Sequence, residues 1–208
     1  MGPLFYKLPA QHIIPDYKEA ARYSGYTQPV CDSDIVSAKI KDCCSQLQKI
    51  LMPQAVFQEF PLTVLPPDQA DGPSTIQFAN LTIKSKDLGK NLKGCSRIVL
   101  FAATIGPMTD TLIRKTQNTG SADAAFMQAC GAMFIESFVD LLNDHIKQNA
   151  LCRGLKSHPR YSPGYGDVPL SFQKNIFNLL PCSKIGLTLM DSLIMAPEKS
   201  VTALIGLE

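Results

Sequence analysis

Arg97-Ile98-Val99-Leu100-Phe101-Ala102-Ala103-Thr104 is the run on which the fold turns. Its apolar residues are consecutive rather than alternating, and turn residues bound it, Gly94 before and Gly106-Pro107 after. A short continuous apolar run of this kind predicts a strand covered on both faces. Downstream, Pro107 to Gln117 reads as a helix, and the longest element spans about Ala122 to Gln148. Upstream, Ala55 to Val64 alternates apolar and polar residues as a strand, and a second strand-like run covers Ile76 to Ile83. The Pro/Gly/Asp-rich stretch PPDQADGPS separates these two runs as a surface turn.

Further out, a short helix is expected from about Asp16 to Tyr23, ended by Gly25, and a second helix runs to about Leu51 before Pro53. Asp32 or Ser33 is placed to cap the second one. Ser85 caps a short helix in SKDLGKNLKG, which Gly94 ends. The loop CRGLKSHPRYSPGYG precedes a helix from about Pro169 to Leu180, capped by Asp167. Strands at Ile185–Leu189 and Val201–Ile205 close the chain. Strands and helices follow one another without regular β-α alternation. This favours an α+β fold, a twisted and mainly antiparallel sheet with flanking helices, over a doubly wound one.

The 208 residues suit one domain and are 45% hydrophobic, enough for one real core. Twenty basic and eighteen acidic residues, a formal charge of +2, are spread along the chain. No basic run is dense enough to track phosphates, so nucleic acid is not an expected partner. Seven cysteines, without a C-x-x-C pair, fit reduced thiols in a cytoplasmic protein; a Cys43–Cys44 redox pair is the disfavoured alternative. The start of the chain lacks a signal-peptide pattern, and no stretch reads as a membrane span.

At 100° per residue, the Ala122–Gln148 helix is apolar over more than half its circumference, which marks it as central and buried. The remaining strip holds Ala125, Ala129, Ala132, Glu136 and Asn143, with Glu136 the one charge among small residues. A carboxylate there must be paired, hydrogen-bonded or solvated. Two readings stay open: a Glu satisfied by a nearby Arg or backbone amides, or a Glu pointing into a ligand groove.

The second chemical feature is His158-Pro159-Arg160-Tyr161-Ser162-Pro163-Gly164-Tyr165-Gly166-Asp167. Prolines stiffen the loop, and glycines allow close approach and positive φ. It presents a guanidinium fork suited to a carboxylate and tyrosine faces suited to a cation or a flat heterocycle. Such a loop is also compatible with simple packing. His158 reads as a solvated loop residue rather than a general base. No zinc ligand set, nucleophile elbow or phosphate-binding loop is present.

The stretch RYSPGYGDVPLSFQKNIFNLL, followed by KIGLTLMDSLIMAPEKSVTALIG, resembles the reactivation domain of cobalamin-dependent methionine synthase. The family pattern R-x-x-P-G-Y, a polar helix start with a Lys, then G-x-x-L-x-x-S-x-x-M-x-P-x-x-S-V, is met by Arg160, Pro163, Gly164, Tyr165, Lys174, Gly186, Leu189, Ser192, Met195, Pro197, Ser200 and Val201. LFAATIGPMTD and IESFVDLLNDHI extend it upstream, so it covers residues 97–205 and is weak over 1–96.

The resemblance implies a single, free-standing reactivation-type domain that binds S-adenosylmethionine and docks on a methionine synthase lacking its own such domain. There it would support reductive methylation of inactive cob(II)alamin, with a flavodoxin- or ferredoxin-type electron donor. The cobalamin would be carried by the partner, since the chain lacks D-x-H-x-x-G. Arg160 is implied as the principal ligand contact and Glu136 as a second. Ser162 and Gly164 would contribute backbone, with Tyr165 near the ligand. No residue is implied as catalytic or metal-binding, and the chain is not expected to catalyse alone. The alternative is a corrinoid-protein docking or sensor module of the same fold without S-adenosylmethionine-dependent activity.

Overall fold

The computed structural model describes residues 2–26, 35–67, 69, 72–118 and 120–208. The expected caps Asp32 and Ser33, and Cys31, lie outside the described residues. In chain order the elements are β1 (Leu4–Lys7), α1 (Tyr17–Tyr23), α2 (Ile35–Gln48), β2 (Gln54–Leu65), β3 (Ser74–Phe78), β4 (Leu81–Ser85), α3 (Asp87–Asn91) and β5 (Arg97–Thr104). They continue with α4 (Pro107–Gln117), α5 (Ser121–Leu151), α6 (Gln173–Leu179), β6 (Thr188–Leu189), β7 (Met195–Ala196) and β8 (Ser200–Leu207). The fold is α+β, as expected.

The main sheet runs β4-β3-β2-β5-β8, with β1 beside the start of β2. All pairings are antiparallel. Gln54 through Pro61 face Thr104 through Arg97, and Arg97 through Thr104 face Leu207 through Ser200. β5 is buried from Ile98 to Thr104. Val99, Phe101 and Ala103 enter the core beneath α1, α2 and α5; Ile98, Leu100 and Ala102 enter a second core with Leu88, Leu92, Phe172, Ile176 and Leu180. The continuous apolar run is thus two alternating faces, each with its own covering layer. Burying one Leu, Ile or Phe of this kind contributes about 1.5–3 kcal/mol before the ordering cost is subtracted.

α5 seals the first core with Met127, Cys130, Phe134, Phe138, Leu142 and Ile146. By length and apolarity this helix is also sufficient to cross a membrane, contrary to the expectation that no stretch is. Its apolar surface here is the protein core, against the sheet, α1, α2 and α4.

Several element boundaries differ from the sequence expectation. The run Ile76–Ile83 is a hairpin, β3 and β4, turning at Ala79-Asn80 with Ala79 at φ +48°. The apolar positions shift there from 76 and 78 to 81 and 83, so that Phe78 faces Leu81 and Ile76 faces Ile83 across a two-residue turn. β1 was not expected. The stretch expected as a strand at Ile185–Leu189 is a 3₁₀ turn, Cys182–Ile185, followed by two strand residues paired with β7. The helix expected from Pro169 opens instead as a 3₁₀ turn, Leu170–Phe172, with no side-chain cap.

Glu59 on β2 ties the sheet to the end of α5. Arg97 donates to Oε1 at 2.7 Å, and Arg153 donates to both oxygens at 3.1 and 2.7 Å. Burial alone would raise the Glu59 carboxyl, but the bonds from Arg153 and Arg97 outweigh it and hold it below its ordinary value. A depressed carboxylate stabilises above the unfolded value of about 4.3, and this is lost as pH falls through the depressed folded value. Glu59→Gln is therefore expected to cost about 1–2 kcal/mol at pH 7, allowing for the exposure of both arginines. In urea titrations the gap to wild type should close below about pH 4; a gap that persists there refutes the assignment.

Candidate functional site

α5 and the chain that follows it build the site. Glu136 and Asp140 lie one turn apart on α5, so both carboxylates share a face. After Leu151 the chain reverses at Gly154, φ +73°, and runs along the free edge of β8. Lys156 and Glu208 exchange backbone hydrogen bonds at 2.8 Å, His158 N–H donates to Gly206 at 2.9 Å, and Tyr161 and Leu204 exchange bonds at 2.8 Å. The expected loop is in fact laid onto the sheet, because β8 otherwise leaves an edge of unpaired amides.

This pairing delivers Arg160 to α5. Arg160 donates to Glu136 Oε2 at 2.6 Å and to Asp140 Oδ1 at 2.7 Å. The side chains are 30% (Arg160), 38% (Glu136) and 70% (Asp140) exposed. Of the two open readings of Glu136, the structure meets the first: it is satisfied by an arginine, and that arginine belongs to the chemically equipped loop. Asp140 was missed, although its spacing of four from Glu136 was a usable signal. Two carboxylates on one guanidinium leave the cluster net negative.

α1 forms the adjoining wall. Asp16 caps it through Lys18 N and Glu19 N, and its own N–H reaches Met133 Sδ at 3.4 Å, one turn before Glu136. Tyr23 stands within the field of the cluster: burial first, then the carboxylates of Glu136, Glu19 and Asp140, hold its phenol above the ordinary range against the nearby Arg22. Arg22 lies 4.7 Å from the Tyr23 ring centre and pairs with Glu19 at 2.7 Å. Nothing in the sequence pattern singled out Tyr23.

The turn is held from inside. Tyr165 N–H donates to Ser162 O at 3.3 Å, Gly164 N–H to Val168 O at 2.9 Å, and the Tyr161 hydroxyl to Tyr165 O at 2.9 Å. Pro163 and Val168 are buried, Ser162 is half-buried, and Tyr165 is 69% exposed. Gly164 at φ +93° and Gly166 at φ +52° supply the left-handed bends. Asp167 does not cap the following helix. With the chain turned at Gly166, its carboxylate reaches back to the start of α3, accepting from Ser85 Oγ, from Lys86 N at 2.6 Å and from Asp87 N. Burial would raise this carboxyl, but those bonds outweigh it and lower it. Ser85 Oγ in turn accepts from Leu88 N, so the expected cap of the short helix stands. His158 is not a solvated loop residue: its Nδ1 lies 2.6 Å from Asn91 O and its Nε2 3.1 Å from Glu208 Oε2.

The structure thus joins Glu136 and Arg160 directly and sets Ser162, Gly164 and Tyr165 on the turn that follows. The site is an open surface. The larger cleft of about 950 Å³ lies elsewhere, between Lys174, Phe177, Lys184 and Leu187, and a smaller one of about 260 Å³ lies between Lys39, Cys43, Asp123 and Met127. Among the described residues no His, Cys, Asp or Glu group is disposed to hold a metal.

No protein-family model and no curated protein matches this sequence. Among solved structures, the chain is similar to a crystal structure of the MetH reactivation domain bound to AdoHcy. The TM-score is 0.69 at 15% identity, covering 99% of this chain and 78% of that one. At this identity the likeness is one of fold.

A methyl group at Gly166 would overlap the Tyr161 hydroxyl and lie 2.6 Å from Asp87 Oδ2, whereas one at Gly154 meets nothing within 4 Å. Both residues have positive φ, so Gly154→Ala isolates the backbone cost of about 1–2 kcal/mol. Gly166→Ala should cost about 1 kcal/mol more in urea unfolding, since the Tyr161 hydroxyl must leave its bond to Tyr165 O. Equal costs would mean that the turn is not packed as described.

Proposed function

We propose that this chain binds S-adenosylmethionine on the open surface between α5 and the Arg160–Tyr165 turn, and docks there on a cobalamin-dependent methionine synthase. In this reading it supports the reductive methylation of that partner's inactive cob(II)alamin. The observation that carries it is the Glu136–Arg160 pair, two residues 24 apart that the motif resemblance names separately and that meet at 2.6 Å. The fold shared with a reactivation domain bound to AdoHcy, the demethylated form of the same ligand, supports it further.

The donor set fits an amino-acid zwitterion joined to a sulfonium. Carboxylates of Glu136 and Asp140 suit the ammonium and the sulfonium. A guanidinium has five N–H donors, and the two pairs leave others for a ligand carboxylate. Tyr165, exposed beside the turn, offers a flat face for a heterocycle or for the partner's corrinoid. Bound S-adenosylmethionine would supply an electrophilic methyl group; the chain's residues bind and orient it, and the electron comes from a flavodoxin- or ferredoxin-type donor. A site on an open surface needs a cover, which the docked partner provides. On this reading residues 1–208 act as one cytoplasmic domain that positions the ligand without catalysis of its own.

One observation favours the second reading, a corrinoid-protein docking or sensor module without S-adenosylmethionine. The Arg160 fork is already engaged by two acids, as a purely structural arginine would be.

Calorimetry separates the two. Wild type is expected to bind S-adenosylmethionine saturably, and Arg160→Ala to weaken binding about 10- to 150-fold, the loss of one or more charge-assisted bonds. Absence of binding by wild type at millimolar ligand, with the partner synthase present, leaves the docking module.

A further inference from the structure

The larger cleft, of about 950 Å³, opens on the α6 side of the sheet and is not part of the Arg160 site. α6 forms one wall with Lys174, Phe177 and Asn178, and the chain from Leu180 to β6 forms the other. Leu187 and Phe177 floor it with apolar surface that continues into the second core. Lys174 and Lys184 stand exposed at its sides, and neither pairs with an acid among the described residues. Lys184 instead lies over the Phe5 ring, 5.9 Å from its centre. Asp191 is the one acid in the lining, so the cleft carries surplus positive charge.

β6 contributes Thr188 and Leu189 to the lining. At the end of its hairpin with β7, Leu193 N–H donates to Met190 O and Met190 N–H to Ile194 O, both at 2.9 Å. Bonded and non-bonded pairs alternate along an antiparallel ladder. Since Met190–Ile194 is bonded, the next pair, Leu189–Met195, is not. The N–H and C=O of Leu189 therefore point away from β7, and among the described residues no other strand pairs with that edge. We propose that an acidic, extended segment of a partner protein docks in this cleft as a further strand on the free edge of β6. Its backbone would exchange hydrogen bonds with Leu189, its carboxylates would meet Lys174 and Lys184, and an apolar side chain between them would rest on Phe177 and Leu187. The chemistry selects a protein segment over a small anion. Two exposed lysines hold a free anion weakly against water and salt. The apolar floor and the strand edge reward only a chain that brings side chains and backbone together.

The test is fluorescence anisotropy of the full chain with a labelled heptapeptide that alternates glutamate and valine. Saturable binding is expected, weakening as salt is raised. Charge reversal by Lys174→Glu with Lys184→Glu should weaken it about 10- to 30-fold, each change replacing an exposed attraction by a repulsion of similar size. Both side chains are exposed, so the urea midpoint of this variant should match wild type. Methylating the peptide nitrogens on one edge should abolish binding, and methylating those on the other should leave it intact, the mark of strand addition. Absence of saturable binding at millimolar peptide overturns the proposal. So does binding that the charge reversal leaves unchanged, that N-methylation affects alike on both edges, or that inorganic phosphate displaces at the same concentration.

Discussion

Burial of β5 on both faces is the constraint from which the architecture follows. A strand apolar at every position from Ile98 to Ala103 cannot lie on a sheet with one face in water. It requires strands on both sides and a layer above and below. β2 and β8 satisfy the backbone, α5 with α1 and α2 covers Val99, Phe101 and Ala103, and the α3–α6 side covers Ile98, Leu100 and Ala102. The central position of α5 is the other half of the same requirement. A helix apolar over most of its circumference needs neighbours around it, and the sheet and three helices supply them.

Position in the sheet also explains where the chemistry sits. β8 is an end strand, and an open edge of amides must be paired or blunted. The chain from Lys156 to Tyr161 does the pairing, so a segment without regular secondary structure acquires the precision of a strand. Arg160 falls in that segment, facing the one strip of α5 not filled by large apolar residues. Asp167 and Ser85 then fasten the far end of the turn to α3, on the opposite side of the sheet. The site is thus held by both layers, although Glu136, Asp140, Arg160 and Tyr165 all reach the surface.

Much of this was legible from local pattern. β5, α4 and α5 follow from periodicity and from Gly106-Pro107, and Asp16 caps α1 where the helix was expected to begin. Glu136 was legible because a single charge in a strip of small residues on a mostly buried helix needs an explanation. What was not legible depended on partners distant in sequence. Asp167 was assigned to the nearest helix, whereas its partners lie some 80 residues away. Tyr23 joins the site only because α1 docks on α5.

On the proposed function, the exposures within the cluster decide how a ligand would enter. Arg160 keeps unengaged N–H donors for a ligand carboxylate, but a contact that also draws on one of its two engaged donors releases an acid. Asp140, 70% exposed, loses least on returning to water, since an exposed pair contributes about 0–1 kcal/mol. Glu136, less exposed and closer at 2.6 Å, loses more. Asp140 is therefore the acid that gives way, swinging toward the ligand's cationic end while Glu136 keeps the guanidinium in place. The pairing present without ligand then fixes the orientation of Arg160 in advance, so less side-chain freedom is left to be lost on binding.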